Sequence, residues 1–350
     1  MRMIDRFRAL SCVAILSLLA TVACAPGASQ TSSKPSSGTL EPKTIRESVV
    51  GGGWSTAPDV VAQEKGFYAN EKLTVEVNVA GQSAATCQQV LAKAADVARC
   101  SLNDMVQAVE ASGAQLIQFF GAYASPLNYS IMSKPNLTSW ADLKGKSVMV
   151  GGPKDNTVFF FRVMARPNNL GDNDYDFQFA GSSAARFAAL KSGAVDATIL
   201  TDPFDYQAEQ EGFKKLDVLV PRYVNADNYG YIIHVAHADW AKSHQDELER
   251  YIRGQIKSVE WIYDPANKQE MFNIVGPKNN INQETFDRLY KRDVQDVKYW
   301  STDGKITDSG VQGVLNSLIE LDSLKSPAPP PSKYYDLTYL NAALASMGRK

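Results

Sequence analysis

Two stretches one hundred residues apart constrain this chain more than anything else in it. LAKAADVARCSLND (Leu91–Asp104) and LKSGAVDATILTDPF (Leu190–Phe204) both read as a helix end, a turn, a short apolar strand and a polar loop. Asp96 answers Asp196, and Ser101 answers Thr201. The first copy is read as one residue shorter in its turn, because Ala94-Ala95-Asp96 lacks the glycine that opens Gly193–Asp196. Around each copy the same order of elements recurs. In the first, Thr44–Val50 reads as a strand broken by Gly51, Gly52 and Gly53. Ser55 or Thr56 can then cap a helix that holds Pro58 in its first turn and stops at Gly66. Leu73, Val75, Val77 and Val79 alternate in strand fashion, Gly81-Gln82-Ser83 opens a helix to about Ala94, and Val97–Cys100 is the third strand. In the second, strands Ser147–Val150, Tyr175–Ala180 and Val195–Thr201 alternate with a helix from about Asn156 and one capped by Ser182 or Ser183 and closed by Gly193. Strands alternating with helices argue sheets with helical crossovers, so the reading is two α/β lobes of like construction.

The remainder is a strand at Leu216–Val220, another at Tyr229–Ala236, and helices over about 245–264, 282–296, 308–323 and 337–347. Consecutive prolines force an extended form near Ser326–Ser332. A length of 350 residues exceeds what one hydrophobic core comfortably serves. The net charge of −2 and the lack of any basic block argue against nucleic acid as a partner.

The N-terminus reads as an export signal. Arg2, Arg6 and Arg8 precede the apolar run Leu10–Ala23, which is short for a membrane span and ends in small residues. Cys24 follows, and ATVAC resembles the lipobox of bacterial lipoproteins, with Thr21 where Leu is usual. The expectation is a signal at 1–23 and lipidation of Cys24; plain secretion after an A-x-A is the rival. Residues 24–42 are Ser/Pro/Gly-rich and too polar to order themselves, so they read as a disordered tether. In an exported chain Cys87 and Cys100 either pair as a disulfide or stay as buried thiols. A bridge closing that loop would stabilise by about 3 kcal/mol in the chain-entropy model.

In open α/β sheets ligands sit beyond the carboxyl ends of the strands. The loops there are rich in hydrogen-bonding groups: Gly53–Thr56, Gly81–Ser83, Ser101–Asp104, Gly151–Thr157 and Thr201–Phe204. Candidate ligand contacts from the first lobe are Trp54, Ser55, Thr56, Gln82, Ser83, Ser101, Asn103 and Tyr123. From the second they are Lys154, Asn156, Thr157, Thr201, Asp202, Phe204 and Tyr229. Any one of the small polar residues could equally be a helix cap. Helix N–H groups favour an anion or carbonyl oxygen, Lys154 could add charge, and the aromatic residues could form flat walls. Arg99 could reach the cleft or face solvent. Other motifs fail. Gly145-Lys146-Ser147 lacks the spacing of a phosphate loop, the three histidines match no strong zinc pattern, and no Gly-x-Ser-x-Gly elbow occurs. No metal, cofactor or catalytic residue is expected.

Taken together, APDVVAQEKGFYANEKLTVEV, ADLKGKSVMVGG, RFAALKSGAVDATILTDP and YYDLTYLNAALASMG resemble, in order, four stretches of the solute-binding components of ABC importers. The branch is the one that binds nitrate, sulfonates, taurine and thiamine-pyrimidine precursors. The resemblance implies a type II-like periplasmic-binding-protein fold: two lobes, each a mostly parallel sheet flanked by helices, joined by two crossing strands. Lobe one would be 43–127 plus 233–350 and lobe two 128–232, with FFGAYASPL and YGYIIHVA as the crossings. It further implies a monomer, held by its lipid on the periplasmic or cell-surface side, that closes on a small-molecule ligand. The ligand would pass to a membrane permease with its ATPase. A ligand-sensing lipoprotein would share the cleft. Eukaryotic relatives that make the thiamine pyrimidine offer an enzymatic alternative, but they use a cysteine-rich motif and a histidine that this chain lacks.

Overall fold

The computed structural model describes residues 41–51, 53–124, 129–219 and 229–349. The export signal, Cys24 and all but the last two residues of the tether lie outside the described residues. So do residues 125–127 of the first expected crossing.

Two five-stranded sheets carry the fold. The strands are β1 (Lys43–Val49), β2 (Leu73–Val79), β3 (Val97–Ser101), β4 (Leu116–Gly121), β5 (Ser130–Ser133), β6 (Lys146–Val150), β7 (Tyr175–Phe179), β8 (Ala197–Leu200), β9 (Lys214–Val218) and β10 (Ile232–His237). The first sheet has the order β2-β1-β3-β10-β4 and the second β7-β6-β8-β5-β9. In the first, β1 pairs parallel with β2 and β3, and β10 runs antiparallel to β3 and β4. In the second, β6 pairs parallel with β7 and β8, and β5 runs antiparallel to β8 and β9. Each sheet is therefore mixed, with a single reversed strand in fourth place. That strand is in each case the first one formed after the chain passes from one sheet to the other. Phe119–Gly121 and Ile232–Ala236, expected as crossings, are strands of the first sheet, and the passages lie beyond them.

The hundred-residue repeat is literal in the backbone. Asp96 N–H donates to the Arg46 carbonyl at 2.8 Å, and Asp196 N–H to the Ser147 carbonyl at 3.1 Å. The Asp96 carboxylate accepts the Arg46 N–H at 2.8 Å, and the Asp196 carboxylate accepts the Ser147 N–H at 3.1 Å. Ser83 Oγ accepts the Ser101 N–H, and Ser183 Oγ accepts the Thr201 N–H. The turns are also of equal length, which corrects the sequence reading. Lys93 occupies the left-handed position (φ 58°) that Gly193 fills in the second lobe (φ 77°). Ala94 N–H reaches the Gln89 carbonyl just as Ala194 N–H reaches that of Ala189.

Other departures have local causes. β2 outruns its core: Leu73 and Val75 are buried, but Val77 and Val79 are 45% and 62% exposed, because β2 is an edge strand. Ser101 is followed directly by the helix Leu102–Ser112, which it caps through the Asp104 N–H, so the expected loop is a helix start. Neither Ser55 nor Thr56 caps with its side chain; Trp54–Thr56 form a 3₁₀ turn, and Thr56 Oγ1 donates to the Gly53 carbonyl. The helix Lys268–Lys278, which carries Pro277 in its last turn, was not among the expected helices. The C-terminal helices pack on the first sheet, where Tyr251, Ile256, Tyr339 and Leu344 share a core with Ile45, Leu73 and Phe119. Asp308–Glu320 also touches the second-sheet helix Asn156–Ala165.

Cys87 and Cys100 are both fully buried and joined by a disulfide, with Cα atoms 6.3 Å apart. Chain lacking residues 1–24, unfolded without reductant, should titrate no free thiol with Ellman's reagent. Lys93 is exposed and strained, since a non-glycine side chain at positive φ costs about 1 kcal/mol. Lys93→Gly should therefore raise the urea midpoint by an amount equivalent to about 1 kcal/mol; an unchanged or lower midpoint would show that the turn is relaxed.

Candidate functional site

The carboxyl ends of β1, β3, β6 and β8 deliver their loops to one cavity of about 350 Å³ between the sheets. Among the sequence-predicted residues, Trp54, Ser55, Thr56, Ser83, Ser101 and Tyr123 line it from the first-sheet side. Asn156, Thr157, Thr201, Asp202 and Phe204 line it from the second. Four do not line it. Lys154 is exposed, and it meets the other lobe through its backbone, whose carbonyl accepts from Gln107 Nε2 at 3.1 Å. Tyr229 is buried, paired with Ser317 and stacked on Phe159. Asn103 is buried and accepts from Gln107. Gln82 lies against Gly181, where an added Cβ would come within 2.7 Å of its Cδ.

Trp54 forms a floor fixed by its neighbours. Its ring packs on Phe286 and Trp300, and its Nε1–H donates to Asp293 Oδ2 at 2.7 Å. Tyr123 stacks on Tyr299 at 4.3 Å, and both line the cavity. Tyr129 and Tyr231, on the two passages between the sheets, meet through their hydroxyls and add a further wall.

The charged residues were the part least expected. Arg99 does reach the cleft, and it is buried there. Its Nη1 donates to Asp59 at 2.9 Å, and its Nη2 to the Ser55 carbonyl at 2.5 Å and the Tyr123 hydroxyl at 2.9 Å. Burial disfavours its charge, but these acceptors hold the guanidinium firmly protonated. Arg186 lines the other side and donates to the carbonyls of Ile199, Ala180 and Gly181 and to Ser183 Oγ. Three carboxylates line the same space: Asp104, Asp155 and Asp202. Asp155 caps the helix Asn156–Ala165, accepting from Thr157 N–H at 2.8 Å. Asp104 accepts from Ser101 Oγ at 2.8 Å. Burial, together with the Asp155 charge, pushes the Asp104 carboxyl up to about 6. Burial likewise raises Asp202, although Arg292 opposes the shift. Arg292, from the C-terminal helices, grips Asp202 of the second-sheet side, its own neighbour Asp293, and the Tyr206 hydroxyl at 3.1 Å. Asp104, Asp155, Arg186, Ser183, Tyr129, Tyr231 and Tyr299 were not among the contacts expected from sequence, although Asp104 and Asp155 lie in two of the expected loops and Ser183 was a candidate cap. The offset of one hundred from Ser83 would have found Ser183 as a contact; nothing local marks Arg186.

A carboxyl whose folded pKa lies above its unfolded value of about 3.9 destabilises the fold once it ionises. That penalty is absent well below pH 4, grows between pH 4 and about 6, and is complete above about 6. Asp104→Asn should accordingly raise the Tm of the free protein at pH 7.5, and the gain should vanish as the pH falls towards 4. A Tm difference independent of pH would contradict this electrostatic origin.

Comparison with known proteins places this geometry. The family model NMT1/THI5 like matches residues 55–268. A putative thiamine biosynthesis protein of Haemophilus influenzae is 30% identical over 153 residues, 42% of this chain and 47% of its own length. The chain thus aligns with about half of that relative. The alkanesulfonate-binding protein SsuA of Xanthomonas axonopodis pv. citri, bound to MOPS, superposes with a TM-score of 0.68 at 12% identity, over 85% of this chain and 99% of that one. The periplasmic nitrate-binding protein NrtA of Synechocystis gives 0.70 at 15% identity, over 88% and 89%. A Candida albicans protein described as having the generic periplasmic binding protein fold gives 0.66 at 12% identity, over 87% and 95%. Two like lobes with a shared cavity between them are that fold, and the chain belongs to the NMT1/THI5-like family.

Proposed function

We propose that this protein is the solute-binding component of an ABC-type importer. It captures a small organic solute between its lobes and hands it to a membrane permease with its ATPase. The lobes are taken as 43–127 plus 233–350 and 128–232, the protein as a monomer, and Cys24 as the lipid anchor on the periplasmic or cell-surface side.

One observation carries the reading. Equivalent loop ends of two like lobes, Ser83 and Ser101 on one side and Ser183 and Thr201 on the other, line a single cavity walled by aromatic rings. A ligand touching both lobes stabilises the closed arrangement by its extra affinity for that state. The volume of about 350 Å³ suits a small molecule. The names of the sulfonate- and nitrate-binding neighbours support a binding role. The thiamine-biosynthesis relative favours a second reading, an enzyme acting on a pyrimidine.

Native mass spectrometry of protein purified without refolding should find one small-molecule adduct per chain, released unchanged when the protein is unfolded. A bare protein mass, or release of a chemically altered molecule after incubation, would count against a binding role.

A further inference from the structure

We infer that the cavity is built for an organic cation or amine that also carries a neutral oxygen acceptor, not for an inorganic or sulfonate anion. This inference rests on the solute-binding reading and deepens it.

The places where an anion would sit are already taken. A free helix N-terminus attracts negative charge. In the helix Asn156–Ala165 that position holds the Asp155 carboxylate, bonded to the Thr157 N–H. In the helix Leu102–Ser112 the first turn holds Asp104, and Ser101 caps its N–H. An anion at either end would be desolvated beside a carboxylate.

The cations lining the cavity, among the described residues, are Arg99 and Arg186. Both are committed. Arg99 is neutralised by Asp59 and also serves the Ser55 carbonyl and the Tyr123 hydroxyl, leaving only Nε without a partner. Arg186 spends its donors on three carbonyls and Ser183.

Apart from that Arg99 Nε, the groups without partners are of another kind. Asp202 lines the cavity and is 9% exposed; Arg292 takes its Oδ2, while its Oδ1 is buried without a hydrogen-bond partner. A buried carboxylate oxygen left unpaired is costly, and a donor from a ligand would relieve it. Asn156 also lines the cavity, and its Nδ2 is buried without an acceptor. Trp54, Tyr123, Tyr129, Tyr231, Tyr299 and Phe204 line the same space, and ring faces attract a desolvated cation. Three carboxylates and the aromatic walls match a positively charged or amino-bearing solute, and the unpartnered donors Asn156 Nδ2 and Arg99 Nε match a hydroxyl or carbonyl oxygen on it.

The test is a thermal-shift and calorimetric panel on the full chain at pH 7.5. Its cations are choline, ethanolamine and tyramine; its anions are nitrate, methanesulfonate and benzenesulfonate. At least one cation should raise the Tm, and Asp202→Asn should weaken its binding about tenfold or more. Because Asp202 also holds Arg292, the double variant Asp104→Asn/Asp155→Asn provides an independent check, since Asn still caps a helix. It should weaken the cation to a similar extent. A shift by the anions alone would overturn the cation assignment and leave the solute-binding reading standing. A cation whose affinity ignores both variants would overturn the assigned carboxylates. If no member of the panel shifts the Tm, the cation assignment falls; if native mass spectrometry also finds no adduct, the solute-binding reading falls with it.

Discussion

A carboxylate at the head of each third strand governs this molecule. Asp96 accepts the N–H of Arg46, the fourth residue of the neighbouring strand, and Asp196 that of Ser147, the second residue of its neighbour, while their own N–H groups donate back to the carbonyls of the same two residues. Charged acceptors make such bonds stronger than neutral ones. Burial opposes ionisation of Asp196, but Lys134 and Ser147 donate to it and hold its carboxyl below the ordinary range. With the strand pinned at its start by the aspartate and at its end by Ser83 or Ser183, its register has no freedom. Everything at the cavity depends on that register, because Ser101 and Thr201 are simply where those strands stop.

The lobes then meet through contacts of different character. Tyr229, Phe159 and Phe160 pack beside the helix Asp308–Glu320 as an apolar seam. Gln107 reaches the Lys154 carbonyl, and Arg166 reaches Glu320 at 2.5 Å. At the cavity itself the link is ionic, Arg292 between Asp202 and Asp293, with Arg288 also over the Tyr206 ring at 4.7 Å. Exposed pairs of this sort contribute little, whereas half-buried ones depend on every partner being present. Asp293 joins that link to the Trp54 indole, so the wall and the clasp share one carboxylate.

The sequence made the architecture readable because strand and helix periods are local. Glycines 66 and 193 sit at positive φ where the pattern placed helix ends, and the paired αβ order led to two lobes. Short strands without alternation, such as Ser130–Ser133, carry too few residues to register. Part of the aromatic and hydroxyl lining was also readable, Trp54, Tyr123 and Phe204 among the rings, since those residues lie in loops following strands; Tyr129, Tyr231 and Tyr299 were not. The charge of the cavity was not readable either. Lys154 is one residue from Asp155, and only the backbone decides that the acid caps the helix while the lysine faces water. Arg292 is ninety residues from Asp202, and nothing in either neighbourhood announces the other. Lys93 misled for the opposite reason: a lysine standing in left-handed backbone looks like a deletion when only residue types are compared.

Asp202 has one oxygen on a guanidinium carried by the C-terminal helices and the other buried without a partner. Any motion that draws the halves apart must pull that aspartate from Arg292. Breaking that ion pair is then one part of the barrier to separating the halves, and it would leave a half-buried guanidinium and a buried carboxylate each short of a partner.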